Sequence, residues 1–528
     1  MTSFTGTRAL ARLALRLDRV RLAVWVLALA LMPAGTAAQY KKLYPDEESL
    51  QAVNGIISNP SLVALNGPLF GVSLGGLTAW KIVATELILV ALMSLLTVVR
   101  HTRTEEETGR LELIGAAVVG RYAPLSAALL VAGLANLAIV VLVALGLVGV
   151  GLPVAGSVAM GLAVGLTGLM FAAVAATAAQ LTESARAATA ITSAVLGVSY
   201  LLRAVGDTGP TWLTWLSPLG WAMQVRPFAG DRWWLLGLTV GFAAVFTAMA
   251  YALVARRDLG AGLLPQRPGP AQAAPSLRSS LALAWRLHRG ILIGWTVGMI
   301  VWGATLGGAA DGIAHAGNIS GQMTDMLARM GGRKGLVDTY LAAVFGITGL
   351  VVAAYTVQAT LRLRAEESAG RAEPLLATRV GRIRWAFSHL VFALLGTAAL
   401  LAVAGAGGGL AYGLQIHDVG GQVPRLLAAA LVQLPAAWVL AGLGAALFGL
   451  APRLAAGLTW AGLIACLVLL ELGALLGLSQ WLVDISPFAH VPKLPGTAFT
   501  ATPLLWLTAV AAAMTAAGLA GFRRRDIG

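Results

Sequence analysis

Residues 77–112 read LTAWKIVATELILVALMSLLTVVRHTRTEEETGRLE. The first part, 77–99, is almost wholly apolar and long enough to cross a bilayer, which takes about 20 residues. The rest is a short, densely charged loop. Runs like the first recur near 22–39, 123–150, 155–180, 187–203 and 233–255, and again near 291–310, 341–361, 386–413, 425–450, 454–478 and 503–522. The pattern predicts an all-α polytopic membrane protein with about twelve spanning helices. Composition agrees: the chain is 58% hydrophobic and only 11% charged. Its 63 glycines, among many alanines, suit close packing of helix backbones in lipid.

Working outward, the charged loop has a double. Arg103-x-Glu105-Glu106-x-x-Gly109-Arg110-x-Glu112 is matched by Arg364-x-Glu366-Glu367-x-x-Gly370-Arg371-x-Glu373. Arg16-Leu17-Asp18-Arg19 with Trp25 matches Arg286-Leu287-His288-Arg289 with Trp295, and Val119-Gly120-Arg121 matches Val380-Gly381-Arg382. Trp212 with Ser217-Pro218 matches Trp481 with Ser486-Pro487, and Arg256-Arg257-Asp258 matches Arg524-Arg525-Asp526. Five pairs in one order at offsets of 261–270 mark an internal duplication. The halves are 1–260 and 277–528, each with six spans, joined by a Pro-rich linker, 261–276. Even span numbers make this a parallel repeat. The repeat also argues against a cleaved signal at 1–38, because the first span has a counterpart at 291–310.

The net charge of +14 does not point to nucleic acid. The basic residues sit in short gaps between apolar runs, as topology-setting charges do. With these spans, 26 of the 37 Lys and Arg fall on the side that holds both termini. The bias predicts cytoplasmic termini, and the excess of Arg over Lys with heavy Ala and Gly resembles a GC-rich bacterial coding bias, so the expected location is a bacterial plasma (inner) membrane. Before the first span, Arg8, Arg12, Arg16 and Arg19 share one helical face opposite Leu10, Leu13, Leu17 and Val20, an amphipathic helix suited to the interface with membrane lipids. The single cysteine, Cys466, lies in an apolar run and forms no intramolecular disulfide.

Topology alone would need only arginine in the loops. Their acids work against the positive-inside bias, and their repetition suggests a surface for a partner. A charge run is ordinarily a solvated face, and the fixed offset is what favours the functional reading. Together with Trp212, Ser217-Pro218-Leu219-Gly220-Trp221, Arg226-Pro227-Phe228 and Arg203 with Gly206-Asp207, the two loops make the chain resemble the permease subunit of type II ABC exporters. The likeness is to the actinobacterial polyketide-antibiotic (tetronasin-type) group and spans essentially the whole chain. It implies a coupling helix in each loop, docking to an ATPase subunit, and an outer re-entrant segment before the sixth span. On that likeness Arg103, Glu105, Glu106, Gly109, Arg110, Glu112 and Arg364, Glu366, Glu367, Gly370, Arg371, Glu373 are the coupling residues. Two ATPase copies, carrying ATP and Mg, are the expected partners, and a lipophilic small molecule the expected cargo. Ala489-His490 replaces Gly220-Trp221 and Pro374 replaces Leu113 in the second half, which predicts unequal halves.

No lysine here stands between Gly and Ser or Thr, so no P-loop is expected and hydrolysis belongs to another chain; this chain is not itself an enzyme. The six histidines show no metal-ligand spacing on a helix. Two acids fall inside spans, Glu86 and Glu471. Intramembrane acids are functional candidates by default. The resemblance places their spans, the second and the fifth of a half, along the translocation path; both acids are expected to face it near its outer end, with Trp212 and Trp221 as further candidates. The plain reading for Glu86 is local pairing with Lys81. A proton-driven secondary transporter is the rival reading, since such folds also have two parallel halves.

Overall fold

The computed structural model describes residues 3–45, 49–50, 60–115, 118–258, 260–264, 271–310, 332–472 and 479–526. They are predominantly helical, with no strand among them. Contacts divide the chain into two units, Met1–Gly269 and Pro270–Gly528. Eleven described helices are long and apolar enough to span a membrane. The chain is thus a multi-pass membrane protein of all-α class. The run at 454–478 lies partly outside the described residues; its described apolar helix covers Ala455–Leu470.

The first unit begins with α1 (Thr7–Leu17) and α2 (Arg19–Leu43), separated by Asp18. α3 (Leu74–Val99), α4 (Ala123–Val150), α5 (Val154–Leu181), α6 (Ala185–Thr208) and α7 (Trp234–Val254) follow. Local chemistry sets their ends. The Ser73 hydroxyl accepts from Gly76 N at 3.0 Å to start α3, and Ser184 accepts from Ala187 N at 3.1 Å to start α6. Pro124 opens α4, and Gly151, at φ +100°, closes it. α5 is the inner helix, packed against α3, α4 and α7. Gly161, Gly165 and Gly168 lie one turn apart on its face toward α4, where an added Cβ would strike Val140 or Asn136. Asn136 in turn donates to Ser94 Oγ of α3 at 2.9 Å.

Between α6 and α7 lie two short helices, Trp212–Trp215 and Pro218–Met223. They form a packed segment rather than an open loop. Buried Arg203 donates to Leu65 O at 3.1 Å and pairs with Asp207 at 3.5 Å. Asp207 accepts from Thr214 Oγ1 at 3.0 Å, and Ser217 Oγ donates to Ser199 O at 2.6 Å.

The second unit repeats the order. α8 (Ser280–Gly308), α9 (Gly332–Thr360), α10 (Arg382–Gln415), α11 (Val419–Leu431), α12 (Leu434–Leu450), α13 (Ala455–Leu467) and α14 (Ala501–Arg524) carry its core. α8 packs along α10 and α12 along α14, again through glycines. Unlike α1 and α2, α8 runs unbroken from Ser280 through position 288.

Candidate functional site: two charged loops tied to the last helix of their unit

In the first unit α3 continues through a π-helical turn, Arg100–Thr104, and a helical turn, Glu105–Glu107. The chain then reverses at Gly109, whose φ of +71° strains any residue with a Cβ. A second short helix, Arg110–Gly115, leads back toward α4. The second unit makes the same path: Arg362–Ser368, Gly370 at φ +68°, then Ala372–Leu376.

The two glutamates of each Glu-Glu pair have different surroundings. The second points inward. Glu106 accepts from Arg103, whose side chain is 1% exposed, and from Arg257 at 2.5 and 2.9 Å. Arg257 stands just past the end of α7 and also donates to Gln180 of α5 at 2.6 Å. Glu367 is held the same way, by Arg364 at 3.2 Å and by Arg525, just past the end of α14, at 2.7 Å. A further arginine completes each lock. Arg121 donates to Val254 O at 3.1 Å and Arg257 O at 2.8 Å, while Arg382 donates to Arg523 O at 3.3 Å and Arg525 O at 2.7 Å. The end of the second span, the start of the third and the end of the sixth are thereby joined in each unit.

The first glutamate stays with its own loop. Glu105 pairs loosely with Arg110 at 3.6 Å. Glu366 binds Arg371 at 2.7 and 3.2 Å and Arg362 at 2.7 Å. The hydrogen bond with Glu366 raises the Arg371 pKa above its ordinary value. Arg110 and Arg371 remain largely exposed at 66% and 56%, and Glu112 and Glu373 are exposed. Beneath the first loop lies a cavity of about 360 Å³, lined among others by Glu106, Arg121, Gln180 and Arg257. That loop is therefore fixed by its ion pairs and hydrogen bonds more than by apolar packing.

Arg121, Arg257, Arg382 and Arg525 read in the sequence only as topology-setting charges. The signal that marks them is their own recurrence, since both pairs belong to repeated motifs. The fold also brings His288 Nε2 and His389 Nδ1 to 3.0 Å from different helices, although no group of three metal-ligating side chains occurs among the described residues. Trp212 is exposed, and Trp221 packs on Phe242 of α7 and donates to Trp215 O at 2.6 Å. Glu86 is buried in α3 without the Lys81 partner: neither oxygen has a hydrogen bond, and Lys81 is exposed. The Glu471 side chain lies outside the described residues.

Residues 277–523 match the family described as the C-terminal domain of multidrug efflux system permease Rv1217c. The multidrug efflux system permease protein Rv1217c of Mycobacterium tuberculosis is 46% identical over 529 residues, covering 100% of this chain and 96% of the relative. Likeness of that extent, across both units and both locked loops, places the chain in the Rv1217c-like family of multidrug efflux permeases.

Proposed function

We propose that this chain is the membrane subunit of an ATP-driven exporter. Its two loops face the bacterial cytoplasm and receive force from two copies of a separate ATPase, which carry ATP and Mg. The cargo is a lipophilic drug or polyketide-like molecule. One observation carries the reading: the same lock, Arg103–Glu106–Arg257 and Arg364–Glu367–Arg525, is built twice around a loop whose outer rim stays charged and exposed. A solvated connector has no need of it, because desolvating an ion pair is costly. A force-bearing loop does. Pushing the loop displaces the second and third spans directly and the sixth through its arginine. In the first unit Gln180 passes the same displacement to α5. The name of the Mycobacterium tuberculosis relative supports drug efflux as the task.

Co-expression with the candidate ATPase and purification through this chain tests the reading. The expected complex has one permease to two ATPases, with hydrolysis stimulated by lipophilic drugs. A chain that exports drug down a proton gradient with no ATPase bound overturns it. Orientation is tested separately: cysteines placed at 108 and 369 should resist a membrane-impermeant thiol reagent in intact cells.

A further inference from the structure

We propose that Glu86 binds the positive charge of a lipophilic cation within the first unit, an assignment that rests on the export reading and narrows it to a substrate class. Glu86 lies 12 residues after the first residue of α3 and 13 before its last. At about 1.5 Å per residue, that puts it near the middle of a hydrocarbon layer about 30 Å thick, deeper than the outer end where a pairing with Lys81 would hold it. Its side chain is 0% exposed and neither oxygen has a hydrogen-bond partner.

The other buried acids of the described residues are matched. Asp18 has Arg100 and His101, Glu106 has Arg103 and Arg257, and Asp207 has Arg203. Glu366 has Arg362 and Arg371, and Glu367 has Arg364 and Arg525. The two buried arginines of the first unit, Arg103 and Arg203, are engaged in those pairs. Among the described residues nothing bonds the Glu86 carboxyl, so a structural role does not account for it.

The surroundings select the ligand. Ile82, Val83 and Val90, one turn away on α3, are buried and apolar. A hard metal ion needs about six oxygen ligands, and one carboxyl supplies two. An organic cation needs a single counter-charge and brings an apolar body that those side chains accept. In the conformation described the carboxyl is enclosed, so a bulky cation reaches it only when α3 parts from its neighbours.

The test uses the purified full-length chain and two probes, tetraphenylphosphonium and the neutral N-phenyl-1-naphthylamine. Glu86→Gln should weaken tetraphenylphosphonium binding by at least about tenfold while the neutral probe binds as before, and Glu86→Asp should restore part of the loss. In the wild-type chain, tetraphenylphosphonium should also slow labelling of Glu86 by dicyclohexylcarbodiimide, a readout that needs no variant to fold. Unchanged cation binding in Glu86→Gln, with no protection from labelling, makes Glu86 a neutral buried acid and overturns the proposal. Equal loss of both probes, with labelling again unprotected, overturns it as well. A wild-type chain that binds only the neutral probe and still exports drug with its ATPase overturns the cation assignment and leaves the export reading intact.

Discussion

The two loops share one lock and differ in everything around it. The first is braced by segments from elsewhere in its unit. Asp18 interrupts the helix between α1 and α2 and reaches Arg100 at 3.2 Å and His101 at 2.8 Å. Residues before α1 strap the loop's return: Gly120 N donates to Thr5 O at 2.8 Å and Tyr122 N to Ser3 O at 2.9 Å. Glu107 accepts from Ala185 N at 2.7 Å, and Leu264 N, in the start of the linker, donates to Leu181 O at 2.9 Å. In the second unit His288 occupies the place of Asp18 inside an unbroken helix and turns to His389. Arg362 takes the place of His101 and closes on Glu366 within the loop itself. One loop is anchored from outside and the other is stiffened from within. Similar sequences at a fixed offset thus serve two mechanical designs, a braced loop and a self-contained one.

The largest expected effect separates the two locks. Glu106→Ala leaves Arg103 buried without its carboxylate, which costs about 3–5 kcal/mol. Glu367→Ala strands Arg364 and Arg525, which are 30% and 19% exposed and find water, for about 1–3 kcal/mol. Thermal unfolding of the purified chain in detergent should show the larger fall for Glu106→Ala. Equal falls would mean that the two locks are alike and that only the bracing differs. Asp18→Asn should come next. It removes the charge that faces Arg100 and His101, a loss of about 1.5–3 kcal/mol for hydrogen bonds to a charged group. His288→Gln, which keeps a neutral partner for His389, should change the midpoint little by the same assay.

The strap gives a smaller and more local test. A Cβ at Gly120 would stand inside contact distance of the Ser3 carbonyl, whereas at Gly381 it would meet nothing within 4 Å. Gly120→Val should cost about 1–3 kcal/mol by overpacking and speed hydrogen exchange along residues 3–20. Gly381→Val should do neither. Fast exchange in both variants, or in neither, would remove the strap from the comparison.

Most of the fold was legible because a bilayer imposes length and apolarity on every span. The run 123–150 became α4, Ala123–Val150. The run at 454–478 is described as helix from Ala455, and its last residues, 473–478, lie outside the described residues. The amphipathic helix before the first span was legible too, but its break was not, because the residue that holds Asp18 is 83 positions away. The loops stood out by repetition. The division of labour inside each Glu-Glu pair did not, since Arg257 lies 151 residues from Glu106 and Arg525 lies 158 from Glu367. Adjacent acids with the same spacing carry no mark of which one turns inward.

The smallest effect on stability is expected where the effect on coupling should be greatest. Arg110 and Arg371 sit on the exposed rim, and truncating an exposed ion pair costs about 0–1 kcal/mol. Arg110→Ala should therefore fold, purify and unfold as the wild type does, and Arg371→Ala should also fold and purify, since Arg362 still holds the buried Glu366. Their surroundings still differ. Arg110 holds Glu105 only loosely, so its fork is available to a partner carboxylate. Arg371 is one of two arginines that stiffen Glu366, so its removal both strips the rim and softens the loop. Loss of drug-stimulated ATP hydrolysis should accompany both variants, and Arg371→Ala should lose more, because among the described residues no strap or interrupting Asp takes over its bracing. Retention of the ATPase on purification divides the causes: a variant that keeps the ATPase but loses stimulation has lost force transfer, and one that loses both has lost the docking surface. Normal stimulation and normal retention in both single variants and in the double variant would make the loops solvated connectors, and the lock beneath them a purely structural clasp.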